Sequence, residues 1–90
     1  MDSILTSIKK LLGITEEYMH FDTDLIIHIN TVFSILNHLG VGPTNGFTIA
    51  DKKAVWKDFT SDDKKIEMVK TYVYLKVKLI FDPPASSAVS

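Results

Sequence analysis

Cysteine is absent from this chain of 90 residues. That removes disulfide frameworks, thiolate nucleophiles and cysteine zinc sites together, and it fits a cytosolic setting. Arginine is absent too, so all ten basic residues are lysines. Specific readout of base edges leans on the arginine fork, which leaves sequence-specific nucleic-acid recognition without its main tool. The net charge of −1 supplies no global attraction to nucleic acid or an anionic membrane. No apolar run approaches the roughly 20 residues of a membrane span. Lys9 and Lys10 break the apolar N-terminus and no small-residue cleavage pattern follows, so neither a signal peptide nor a membrane anchor is expected, and the protein reads as soluble. Glycine is scarce, and Gly40, Gly42 and Gly46 neither follow a strand nor open a helix, which excludes a dinucleotide-type phosphate loop. Glu16 with Glu17 and Asp62 with Asp63 are adjacent rather than facing, and suit helix starts better than paired-carboxylate chemistry. With no nucleophile–base set in addition, no enzyme activity and no cofactor are expected.

What the chain has is a long, nearly uncharged helix. Residues 23–39 hold nine large apolar side chains and a single formal charge, Asp24. Asp22 suits the N-cap, where a carboxylate accepts from free N–H groups of the first turn. Phe21 and Ile26 are spaced for a hydrophobic staple across it. Gly40 supplies the left-handed end and Pro43 bars continuation. A surface helix of a small domain normally carries a charged outer face. Here the polar strip is only Asn30, Thr31, Ser34, Asn37 and His38, with Ile27 in its middle. The expectation is a helix covered on more than one side, by its own chain or by a neighbouring copy.

Around it the pattern predicts an all-α fold, a bundle of three main helices at about 3–12, 23–39 and 62–81, with the whole chain, 1–90, as one domain. Such a chain buries only about 60–65% of its unfolded surface, so association is a plausible supplement to a modest core. In the first helix Ile4, Leu5, Ile8, Leu11 and Leu12 form one stripe, Ser3 or Asp2 caps it, Lys9 and Lys10 suit its C-terminal dipole, and Gly13 stops it. Residues 41–60 are irregular. Asn45-Gly46 favours a tight turn, and beyond it either residues 47–49 pair with 54–56 as a small hairpin or Thr48 caps a short helix. Residues 73–79 alternate as a strand would, but the helical template fits better over 62–81. Glu67, Lys70, Thr71, Tyr74 and Lys78 then gather on a narrow polar face, and a broad apolar arc includes Ile66, Met68, Val69, Val73, Leu75, Val77 and Leu79. Asp82-Pro83-Pro84 ends this helix, and Ser86-Ser87 looks like the cap of a further C-terminal helix that is missing or cut.

Several residues invite chemistry. His20, Asp22, Asp24 and His28 are the candidates for a metal, or remotely for a metal-dependent hydrolase. Alternate residues on a helix do not converge, however, and a closed site needs about four ligands, so no metal is expected. The plainer role is Asp24 supporting His28 at the edge of the apolar stripe. The lysines are spread along the chain, which suits a solvated surface better than a nucleic-acid stripe. Lys76 falls within the apolar arc of the last helix. It either snorkels, with its stem packed and its ammonium in water, or pairs with a carboxylate such as Asp58. Trp56, the single tryptophan, plugs the core or anchors an interface.

The order of a short helix, FDTDLIIHINTVFSILNHLGVGP, the Val55-Trp56-Lys57-Asp58-Phe59 segment, and KTYVYLKVKLIFDPP followed by Ser86-Ser87 resembles the small head–tail connector proteins of tailed bacteriophages and prophages. The resemblance covers nearly all of the chain and rests on order and spacing, not on a catalytic signature. It implies a mainly α-helical structural subunit. About a dozen copies would form a ring at the head–tail junction of the virion, assembled in the bacterial host cytoplasm. The implied partners are the chain itself, the portal protein and a downstream connector or tail protein, with no membrane involved. DNA would pass through the ring without sequence-specific binding, and a near-neutral protein suits a passage that must not grip phosphates. The contacts between subunits are then expected at Ile27, Thr31, Ser34 and His38 of the central helix and at Trp56, Asp58 and Lys76. Members usually continue into a further helix after the Pro-Pro turn, which this chain lacks. The alternative, from the lysines of the first and last helices, is a small helical DNA-binding or DNA-packaging accessory protein.

Overall fold

Residues 3–81 are described in a computed structural model of the chain. Among them are four helices and no named strand: α1 (Ile4–Leu11), α2 (Asp22–His38), α3 (Trp56–Phe59) and α4 (Asp63–Phe81). The three long elements match the expected bundle to within a residue or so at each end. The expected proline stop at 82–84 and the expected cap at 86–87 lie outside the described residues.

Packing begins with α2 and α4, which pair along narrow stripes. Leu25, Ile29, Val32, Phe33 and Leu36 of α2 face Ile66, Val69, Val73 and Val77 of α4, all buried. These positions recur at i, i+3 or i+4 and i+7, so each helix buries one face. The two run antiparallel: the Phe21 ring at the start of α2 meets Phe81 at the end of α4 edge-on at 5.0 Å. At the other end Gly40 and Val41 share a cleft with Lys65 and Met68. The α1 helix closes the core with Ile4, Leu5 and Ile8.

Helix ends follow the sequence in part. Ser3 Oγ accepts from the Thr6 N–H at 3.0 Å, the expected cap of α1. Gly13 and Gly40, both at positive φ, end α1 and α2 in the same way. Gly40 donates to Asn37 O at 3.0 Å and Val41 to Leu36 O at 2.8 Å, while Gly13 donates to Lys10 O and Ile14 to Lys9 O. The expected Asp22 cap is corrected. Helix α2 starts at Asp22 itself, the preceding Phe21 offers no side-chain cap, and the Asp22 carboxylate turns to Lys9. Lys9 is only 2% exposed, and its ammonium reaches Asp22 Oδ1 at 2.9 Å and Glu16 O at 2.9 Å. The approach to Asp22 Oδ1 is out of line for a hydrogen bond, so the pair is held by charge. A buried ammonium needs a counter-charge more than a helix start needs a cap. Lys9 therefore ties the 12–21 connection to α1 instead of only complementing the helix dipole.

Neither reading of residues 47–56 holds. There is no hairpin and no helix at Thr48; a single bridge joins Ser3 to Val55, and the short helix begins only at Trp56. The segment is pinned instead by Asn30. Its side-chain amide donates to Ile49 O at 2.9 Å and accepts from Ile49 N–H at 2.7 Å, as a neighbouring strand would. Phe47 then packs edge-on to Phe33 and Phe59, with ring centroids 5.0 and 5.3 Å apart.

Candidate functional site

Because α2 and α4 bury the stripes that face each other, their backs point away on opposite sides. On the back of α2 are Ile27, 56% exposed, and the exposed Thr31, Ser34 and His38, one turn apart along the helix. Thr31 Oγ1 donates to Ile27 O at 3.0 Å, so its hydroxyl is satisfied within the helix. Ile35 and Leu39, also exposed, flank this strip. Asn30, expected on the same strip, is withdrawn into the contact with Ile49. A cleft of about 240 Å³ opens beside it, lined by Asn30, Ser34, Asn37 and residues 45–48.

The back of α4 was not expected from the sequence. Met68, Leu75 and Leu79 were read as part of an arc covering the core, yet they are 73%, 51% and 54% exposed. They lie at i, i+7 and i+11, with half-buried Tyr72 between them. The signal was present: an arc of that width exceeds what one neighbouring helix covers, and the buried positions alone already satisfy the helical period.

The remaining predicted contact residues separate. Trp56 is 2% exposed, and its Nε1 donates to Ser7 Oγ at 2.8 Å. Ser7 Oγ in turn donates towards Ser3 O at 2.7 Å, so the tryptophan is a core plug whose polar edge is satisfied inside the chain. Asp58 is exposed, and its Oδ2 accepts from the Val55 N–H at 2.9 Å at the start of α3. It does not pair with Lys76. That lysine is exposed and lies over the ring of Tyr72, 5.6 Å from its centroid, close to the snorkelling expectation.

The residues weighed for a metal stay apart. His20 lies tilted against Tyr18 at 5.9 Å and edge-on to Phe21 at 5.3 Å, Asp22 is taken by Lys9, and Asp24 makes no ion pair with His28. Among the described residues no three His, Asp or Glu side chains gather to hold an ion. No helix of the described residues is long and apolar enough to cross a membrane. Of the lysines, Lys9 is buried, while Lys57 and Lys70 pair with Asp63 at 2.9 Å and Glu67 at 3.7 Å.

What the described residues offer is the exposed surface of two helix backs. A family model described as phage connector protein matches residues 4–90. The chain belongs to that family. No curated protein and no solved structure matches it. Membership assigns a structural role as a phage connector and a place in the virion, in contact with other head or tail proteins. On the two outward helix backs, Ile27 and Leu39 of α2 and Met68, Leu75 and Leu79 of α4 are exposed apolar side chains.

Proposed function

We propose that this connector is the repeating subunit of a ring at the head–tail junction, joining the portal protein to later connector or tail proteins while DNA passes through the opening. The back of α2 carries the proposal: in a chain of a connector family, Ile27, Thr31, Ser34 and His38 form an uncharged exposed strip on a helix that would otherwise be solvated. The subunit contacts take in this strip and the exposed end of Lys76. Trp56 supports them from behind by fixing α3 against α1 through Ser7, and Asp58 by holding the start of α3. Pairing of Lys57 and Lys70 with carboxylates of their own chain weighs against the accessory DNA-binding alternative.

Light scattering coupled to size exclusion tests this across protein concentration, alone and with the portal protein. Mass rising to a fixed multiple of the monomer supports the ring. A monomer at every concentration, with the portal present as well, overturns it. Salt-sensitive binding to DNA by a monomer that never assembles would favour the accessory reading.

A further inference from the structure

The two helix backs differ in charge in a matched way. Asp24, near the start of α2, is exposed, as are Glu16 and Glu17 just before it. Lys76 and Lys78, near the end of α4, are exposed as well and lie over Tyr72 and Tyr74 of their own helix at 5.6 and 5.8 Å. Neither these two lysines nor Asp24 has a partner of opposite charge among the described residues. Because α2 and α4 are antiparallel, with Phe21 against Phe81, the acidic start of one and the basic end of the other lie at the same end of the molecule but on opposite backs. A second copy set beside the first by rotation about an axis along the bundle brings α4 of one against α2 of the next. Lys76 or Lys78, on the two flanks of the α4 row, then comes beside Asp24. The two exposed rows, apolar on α4 and uncharged on α2, match in length: Met68 to Leu79 and Ile27 to His38 each span roughly 16 Å at 1.5 Å per residue.

We infer that each back is covered by the other back of a second copy, α4 on α2, in a heterologous contact with Leu75 and Leu79 against Ile27 and Thr31, and Lys76 or Lys78 against Asp24. This rests on the ring reading and deepens it by assigning the two surfaces. A head-to-tail contact between different faces propagates, and closes into a ring when the rotation permits. The two-fold alternatives are poorer. Pairing α4 with α4 antiparallel sets Lys64 and Lys65 against Lys76 and Lys78, while Asp63 and Glu67 are already paired with Lys57 and Lys70. Pairing α2 with α2 sets Thr31, Ser34 and His38 against one another with one exposed isoleucine of the row from each copy.

Two variants of the full chain, each spoiling one back, test the contact: Ile27→Glu and Leu75→Glu, with Met68→Glu replacing the latter if its circular dichroism shows unfolding. Each alone loses assembly by light scattering, because every contact would include the spoiled face. Mixed, they form a 1:1 dimer that grows no further, since the intact α2 back of Leu75→Glu meets the intact α4 back of Ile27→Glu. Asp24→Lys and Lys76→Glu each weaken association by about tenfold, and the double variant returns to near the wild type, as complementary charges direct. Assembly of Ile27→Glu at wild-type strength, or a mixture that yields no 1:1 species, overturns the assignment while leaving the ring intact. A wild-type chain that never associates overturns both.

Discussion

The first and second helices exchange the roles their compositions suggest. Helix α1 carries two hydroxyls and two lysines in eight residues, yet Ile4, Leu5, Thr6, Ser7, Ile8 and Lys9 are all buried. Helix α2 is less densely charged, with two aspartates in 17 residues, yet only Leu25, Ile29, Val32, Phe33 and Leu36 of it are buried. The difference lies in partners rather than hydropathy. The buried polar groups of α1 have partners: Ser7 Oγ accepts from Trp56 Nε1 and donates to Ser3 O, the Thr6 N–H donates to Ser3 Oγ, and the Lys9 ammonium meets Asp22 and the Glu16 carbonyl. Buried polar groups are tolerated when satisfied. Helix α2 has one large neighbour, α4, and one helix covers only one stripe.

Breaking the α1 side of this comparison gives the largest effects. Trp56→Ala removes the plug that joins α3 to α1 and leaves Ser7 without its donor. A loss of about 4 kcal/mol is expected in urea unfolding, within the range for large aromatic truncations. Lys9→Met keeps the stem but leaves the Asp22 carboxylate without its counter-charge, for a loss of about 3 kcal/mol; the partial exposure of Asp22 keeps it at the low end for broken buried pairs. Adding Asp22→Asn recovers part of that loss, because no uncompensated charge remains. Absence of any recovery would assign the effect to packing of the lysine stem instead. Ser7→Ala leaves the Trp56 N–H buried without an acceptor and costs about 2 kcal/mol, with a shift of tryptophan fluorescence as a second readout.

These expectations also mark where the sequence was informative. Helix positions, the serine cap of α1 and the glycine ends of α1 and α2 were legible because they depend on local chemistry within a turn or so. The role of Asp22 was not, because the competing partner, Lys9, is thirteen positions away and becomes a buried ammonium only after α1 is covered. Residues 47–56 were ambiguous for the same reason. Their order comes from Asn30, on another element, and no turn or period in the segment itself encodes it. Of the candidate site, the back of α2 was visible as a deficit of charge. The back of α4 was hidden inside an apolar arc, since periodicity gives a direction for burial and not the width of the neighbour that covers it.

Asn30 stands between the two cases, a half-buried polar group on α2 with partners as complete as those of α1. Asn30→Ala removes two hydrogen bonds to Ile49, each worth about 1 kcal/mol net. The expected loss is up to about 2 kcal/mol, accompanied by faster hydrogen exchange at the Ile49 amide while the α4 amides stay protected. Uniform acceleration across the molecule would mean that residues 47–49 unfold only together with the bundle.

The smallest effect sharpens the comparison most. Ile27 and Ile29 are two residues apart on α2, one 56% and the other 0% exposed. Ile29→Ala opens a cavity against α4 and is expected to cost about 3 kcal/mol. Ile27→Ser removes an isoleucine from the same helix yet should change monomer stability by less than about 0.5 kcal/mol, the usual range for surface sites. If the back of α2 serves association, the same substitution shifts the concentration at which assemblies form. Stability and assembly are then set by different sides of one helix, and unfolding curves at low concentration separate them. A loss of more than about 1 kcal/mol for Ile27→Ser in the dilute monomer would place Ile27 in the fold, and the charge-free strip would then be explained by folding alone.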